Sequence, residues 1–324
     1  MSVIRAAFDV GSGSTKLTVG QIELATGHLT KVFFSEERVV EVGKSFRHHK
    51  EFIAPEMLEL CRNKLTEFKS IALSHGATQW AGVATAVFRE KSNGKFIEDI
   101  NSKLGLNLRV VSQTAEAELG YATAVAVKAV EGVDANEQSD RHTVVWDSGG
   151  ASFQIATKTD DGLLTAEGQW GSSSATHTMV AQIQGKDFTQ TESANPGTME
   201  HVHKLISHIQ SHLQPPPAWL IEMQKEGLDV VAIGGDTSMH KLVSLATRNP
   251  TFTPETIMEA LEMLADKSDE ELSYLPQPDQ VLPKMCLAYV TMKTMNIKEA
   301  RHYQCTGNTL GLLITDSFWP IAET

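Results

Sequence analysis

One pattern occurs twice in this chain and limits what it can fold into more than any other feature. An apolar strand, Ile4-Arg5-Ala6-Ala7-Phe8, runs into Asp9-Val10-Gly11-Ser12-Gly13-Ser14-Thr15, and Lys16–Ile22 then alternates as a return strand. The second copy is Thr143-Val144-Val145-Trp146, followed by Asp147-Ser148-Gly149-Gly150-Ala151-Ser152 and the alternating Phe153-Gln154-Ile155-Ala156. The two aspartates stand 138 positions apart, 147 minus 9, which is a domain's length rather than that of a small repeat. The pattern predicts two similarly built halves facing each other across a cleft.

Elsewhere the periodicity alternates between strand and helix, which defines an α/β chain. Helices are predicted around Pro55–Leu73 and over Thr114–Val130, and strands at Ala81–Thr85 and ending near Val111. In the second half a His-rich helix follows Asn195-Pro196-Gly197 and stops at Pro215-Pro216-Pro217. Leu228–Ile233 is a buried strand entering Gly234-Gly235-Asp236, and Cys305–Gly311 introduces a final apolar helix. The acidic run Asp266–Glu271 is expected to be a solvated helix face. A length of 324 residues fits two domains. They are expected at 1–120 and 121–324, the final helix being allowed to pack back on the first.

Composition removes several function classes. A 41% hydrophobic and 21% charged chain is not a disordered one. No apolar run approaches the roughly 20 residues that cross a bilayer, and Met1–Arg5 leads into a strand without signal-peptide architecture. The 28 Lys and Arg against 40 Asp and Glu leave a net charge of −12. That argues against nucleic-acid binding, although a local cradle of amides with a metal can still hold an anion. Cys61, Cys286 and Cys305 are widely spaced, so a disulfide framework or zinc site is not expected and a reducing cytoplasm is.

The two turns carry the chemistry. Glycines and small hydroxyl residues let successive amides converge on phosphate oxygens, and an aspartate at a strand end suits Mg²⁺. A single such loop reads more readily as a hairpin whose Asp caps its own turn; two copies reverse that preference and favour the cradle. Gly11–Lys16 is not a Walker loop, because that pattern places Gly-Lys-Ser/Thr at a helix start. His208 and His212, spaced i and i+4, read as a polar helix face without a third metal ligand.

Four segments, in order and spacing, resemble the exopolyphosphatase / guanosine pentaphosphate phosphohydrolase (Ppx/GppA) family. They are Asp9–Ser14, Ala84-Thr85-Ala86-Val87-Phe88-Arg89, Ser112-Gln113-Thr114-Ala115-Glu116-Ala117 and Asp147–Ser152. Gly234-Gly235-Asp236-Thr237, Asp279–Leu287 and Gly307–Gly311 resemble its weaker later motifs. The resemblance implies two ribonuclease H-like domains of the actin-like ATPase superfamily in the short two-domain form. It also implies a phosphohydrolase that releases terminal phosphate from inorganic polyphosphate or guanosine pentaphosphate, with Mg²⁺ or Mn²⁺ as cofactor. Neither nucleic acid nor membrane is a partner on this reading, and a homodimer is left open.

Carried over by position, Glu116 would direct the attacking water and Arg89 would clamp phosphate oxygens. Asp9 and Asp147 would hold the metal. Gly11, Ser12, Gly13, Ser14, Gly149, Gly150, Ser152, Gln154 and Gly235 would line the phosphate site. Without the resemblance, Glu116 is an acid that favours a helix dipole, and Arg89 is a surface residue. Two departures stand out. Ala115 replaces the first acid of the family's Glu-Glu-Ala, and Gln154 replaces a carboxylate that helps hold metal. They motivate a rival reading, a catalytically weak phosphate or alarmone sensor; a kinase or ATPase of the same superfamily is another.

Overall fold

The computed structural model describes residues 1–49, 52–130 and 142–319. The chain divides into two compact units. The first runs through the helix that ends at Val130 and takes back the chain from Cys305 on; the second ends at Gln304.

In the first unit, β1 (Ser2–Val10), β2 (Ser14–Glu23) and β3 (His28–Val39) form an antiparallel meander. Helices α1 (Val42–His49) and α2 (Pro55–Ser74) lead to β4 (Gln79–Ala84). Next come α3 (Lys91–Leu104), β5 (Leu108–Val110) and α4 (Gln113–Val130). The sheet order is β3-β2-β1-β4-β5, with β4 and β5 parallel to β1. Central β1 is buried on both faces from Arg5 to Val10, which is why it reads as a mostly apolar run broken only by Arg5 and Asp9. Phe8 and Val10 pack in one core with Leu65 and Phe68 of α2, while Ala7 faces a second core with Leu119 of α4. The expected boundary after residue 120 falls inside α4, an unbroken helix that belongs with this unit.

In the second unit, β6 (His142–Ser148), β7 (Phe153–Thr159) and β8 (Gly162–Gly168) form another antiparallel meander. It continues through α5 (Ser172–His177), α6 (Met199–Gln210), α7 (Ala218–Glu226), β9 (Leu228–Gly234) and α8 (Met239–Ala246). The short β10 (Thr251–Phe252), α9 (Pro254–Leu264), α10 (Val281–Thr294) and β11 (Ala300–Gln304) complete it. The order is β10-β11-β9-β6-β7-β8, with β9 parallel to β6 and β11 parallel to β9. Apart from β10, this is the strand plan of the first unit.

The chain then returns to the first unit as α11 (Thr309–Ile314). Gly311 lets α11 approach α4 closely: its amide donates to Thr123 Oγ1 at 2.9 Å, and a Cβ there would meet the Leu119 carbonyl at 2.2 Å. The acidic run Asp266–Glu271 is not helical. Helix α9 stops at Leu264, Asp266 takes a positive φ of 63°, and turns follow. Within that run, Asp269 accepts from Ser193 Oγ and Asn195 Nδ2, each at 2.8 Å.

Candidate active site

Both Asp-containing turns close on the same hydrogen bond. The Gly11 amide donates to the Ser14 carbonyl at 2.9 Å, and the Gly149 amide donates to the Ser152 carbonyl at 2.9 Å. The strand pairing after each turn is also equivalent: Asp9 lies opposite Lys16, and Asp147 lies opposite Gln154, each seven residues on. The repeated sequence pattern is therefore a repeated backbone arrangement.

In the first unit the motifs gather at the carboxyl ends of three adjacent strands, where ligand sites of α/β sheets form. The turn Gly11–Ser14 follows β1, Thr85–Arg89 follows β4 and Val111–Glu116 follows β5. Backbone bonds tie them together. The Thr85 amide donates to the Val10 carbonyl at 3.1 Å, the Val87 amide to Ser12 Oγ at 3.4 Å and the Val111 amide to the Ala84 carbonyl at 3.1 Å. Between Thr85 and Val87, Ala86 has a φ of 43°, a left-handed conformation that costs a residue with a Cβ of order 1–3 kcal/mol. Arg89 donates from Nε to the Val111 carbonyl at 2.8 Å, and its guanidinium pairs with the Glu116 carboxylate. Both side chains are partly buried. Glu116 stands on the first turn of α4.

Asp9 is nearly closed off, at 3% exposure. Its Oδ2 is 3.6 Å from Lys16 Nζ and accepts the Asn308 amide at 3.1 Å. Gly307, with a φ of 56°, covers this carboxylate. Across the sheet the row continues from Lys16 to Glu37 on β3, and Ser14 Oγ donates to Glu37 Oε1 at 2.6 Å. Sequence reasoning missed Lys16, Glu37 and Asn308 as members of this cluster. The hairpin register was the available signal for Lys16, since it places residue seven after Asp9 opposite it.

In the second unit, Gln154 is 2% exposed and its Nε2 is 3.3 Å from Ser152 Oγ. The Ser172 and Ser173 amides donate to the Gly149 and Gly150 carbonyls at 3.1 and 2.9 Å. Only glycine fits at 171, where a Cβ would lie 2.3 Å from the Gly150 carbonyl carbon. Gly235 follows β9, the parallel neighbour of β6, and its carbonyl accepts the Ser238 amide at 3.0 Å. The structure thus gathers Asp9, Gly11–Ser14, Arg89 and Glu116 in one unit, and Asp147, Gly149, Gly150, Ser152, Gln154 and Gly235 in the other.

Each unit ends its first strand with one carboxylate, Asp9 on β1 and Asp147 on β6, and a carboxylate is the ligand type that Mg²⁺ prefers. No group of three or more His, Cys, Asp and Glu side chains able to hold a metal occurs among the described residues. No helix among them is long and apolar enough to cross a membrane.

The fold is the two-domain, actin-like arrangement of mixed α/β units. Residues 21–166, a little under half of the chain, match the model of the Ppx/GppA phosphatase family. The match takes in Arg89, Glu116 and the whole second turn; Asp9–Ser14 lie before it. Among solved structures, a Ppx/GppA family member from Aquifex aeolicus superposes with a TM-score of 0.70 at 18% identity, covering 98% of both chains. An exopolyphosphatase from Cytophaga hutchinsonii superposes with a TM-score of 0.71 at 14% identity, covering 96% of both. No curated protein matches the sequence.

Proposed function

We propose that the chain is a divalent-metal-dependent phosphohydrolase acting on a terminal phosphoanhydride, with inorganic polyphosphate or guanosine pentaphosphate as substrate. The observation that carries this reading is the Arg89–Glu116 pair, hydrogen-bonded into the segment that also anchors the Asp9 turn. Glu116 accepts a proton from the attacking water, and Arg89 holds it in place until phosphate oxygens compete for the guanidinium. The amides and hydroxyls of Gly11–Ser14, and those of Gly149–Ser152, are assigned to phosphate oxygens. Asp9 and Asp147 would hold the cation, which when bound neutralises phosphate charge. Of the two substrates polyphosphate is favoured slightly, since no residue pattern marks a guanine pocket.

A phosphate-release assay on polyphosphates of several lengths and on guanosine pentaphosphate, with Mg²⁺ or Mn²⁺, tests the proposal. Glu116→Gln is expected to lower kcat by about two orders of magnitude or more with little change in KM, the consequence of losing a general base. Unchanged turnover in that variant removes Glu116 from the mechanism. A second reading, a phosphate or alarmone sensor of low turnover, draws support from Gln154, a neutral amide opposite Asp147. Tight nucleotide binding by calorimetry, with no phosphate release under any divalent metal, would favour it.

A further inference from the structure

His208 lies in the last turn of α6 and His212 two residues past its end at Gln210, and their rings lie side by side. Their centroids are 4.5 Å apart and their planes meet at 30°. Trp170 packs against both, its ring 5.6 Å from His208 and 5.5 Å from His212. The sequence reading of a plain polar face does not account for this arrangement.

The tautomer of His212 is fixed. Its Nδ1 lies 2.7 Å from the His208 carbonyl oxygen, which can only accept, so in the neutral ring Nδ1 carries the proton and Nε2 has the lone pair. Ser211 Oγ, 3.1 Å from the same nitrogen, donates to that carbonyl at 2.8 Å and so accepts from Nδ1 as well. Metal-ligating histidines use this arrangement, donating one ring N–H to a backbone carbonyl and binding through the other nitrogen. Imidazole ligands suit zinc, copper and nickel over magnesium or calcium.

We propose that His208 and His212 form a two-imidazole site for a divalent transition metal, with Trp170 as its wall. The site is separate from Asp9 and Asp147 in ligand type, so it takes a different cation from the one the phosphate turns would hold. Its position gives it an effect on one of those turns. Trp170 is followed by Gly171, packed on Gly150, and by Ser172 and Ser173, whose amides hold the Gly149 and Gly150 carbonyls. A metal that fixes the Trp170 ring against the two imidazoles steadies this clasp.

The test uses Ni²⁺ alone, titrated into the full chain and followed by calorimetry and tryptophan fluorescence. The expected result is saturable binding with quenching that EDTA reverses. His212→Gln, at an exposed position, is expected to weaken binding at least tenfold, whereas His203→Ala on the same helix leaves it unchanged. Trp170→Phe retains binding and loses most of the fluorescence response. Amide hydrogen exchange over 171–173 slows when Ni²⁺ is added to the wild type. A folded His208→Ala/His212→Ala variant that binds Ni²⁺ as tightly as the wild type overturns the site. Unchanged exchange over 171–173 at saturating Ni²⁺ overturns its effect on the turn.

Discussion

Gly307 lies directly against Asp9: a Cβ on its backbone would sit 2.4 Å from Asp9 Oδ2 and 2.5 Å from Lys16 Cδ. The segment just before α11 therefore presses on the first turn's carboxylate, and a side chain there displaces either that carboxylate or its ammonium partner.

Gly307→Ala is expected to lose about 1–3 kcal/mol, since alanine is strained at a φ of 56° and also meets Asp9. In urea the midpoint falls while the slope stays constant. Gly13→Ala is the control. A Cβ at position 13 meets nothing within 4 Å, so its midpoint stays within the error of the wild type. Equal midpoints for Gly307→Ala and wild type would show that the contact relaxes at no cost.

Arg89 makes two fixed contacts, to the Val111 carbonyl and to Glu116. A lysine cannot reproduce the planar fork that serves both. Arg89→Lys is expected to lower kcat/KM at least tenfold and the melting temperature by only a few degrees. A variant with full kcat/KM would dismiss the guanidinium from the reaction.

At 2% exposure, Gln154 occupies a position where a carboxylate is costly unless a cation sits beside it. Gln154→Glu is expected to melt below the wild type in EDTA and to gain more stability from Mg²⁺ than the wild type does. Half-activation should also need several-fold less Mg²⁺. A melting curve indifferent to Mg²⁺ would place no metal near Asp147.

Burial pushes the His240 imidazole down to about 3, against an ordinary 6.5. Its Nδ1 bonds the Ile233 carbonyl at 2.9 Å, and its ring packs edge-on to Trp146 at 4.5 Å. The folded protein keeps it neutral while the unfolded chain binds a proton below pH 6.5. The unfolded state therefore holds one more proton between those values. Stability complete above pH 6.5 declines toward pH 3 by about 1.4 kcal/mol per unit. Urea unfolding from pH 4.5 to 7.5 should give His240→Leu a shallower dependence than the wild type. Parallel dependences would acquit His240.

The two hairpins were legible because their strands are buried in simple patterns and their turns carry Asp, Gly and Ser in fixed order. Strand β3 was not, since His28–Val39 is an edge strand of irregular exposure whose pairing to β2 shifts register twice. Strand β8 is partly exposed along nearly its whole length and likewise lacks clean alternation. Among the candidate residues, Asp9, Arg89 and Glu116 were proposed from motifs, whereas Asn308 reaches Asp9 only through a contact 299 residues away in the chain. Local periodicity holds no information about such a contact. The acidic run Asp266–Glu271 misled because charge marks a solvated surface and not the conformation beneath it.

Two copies of one turn, equal in bond and register, differ where each aspartate looks across at its neighbour: a lysine in one, a glutamine in the other. The charge facing the aspartate thus differs between the halves while the scaffold beneath it is the same. Exchanging that single neighbour between halves would ask which of the two tolerates a cation and which already supplies its own.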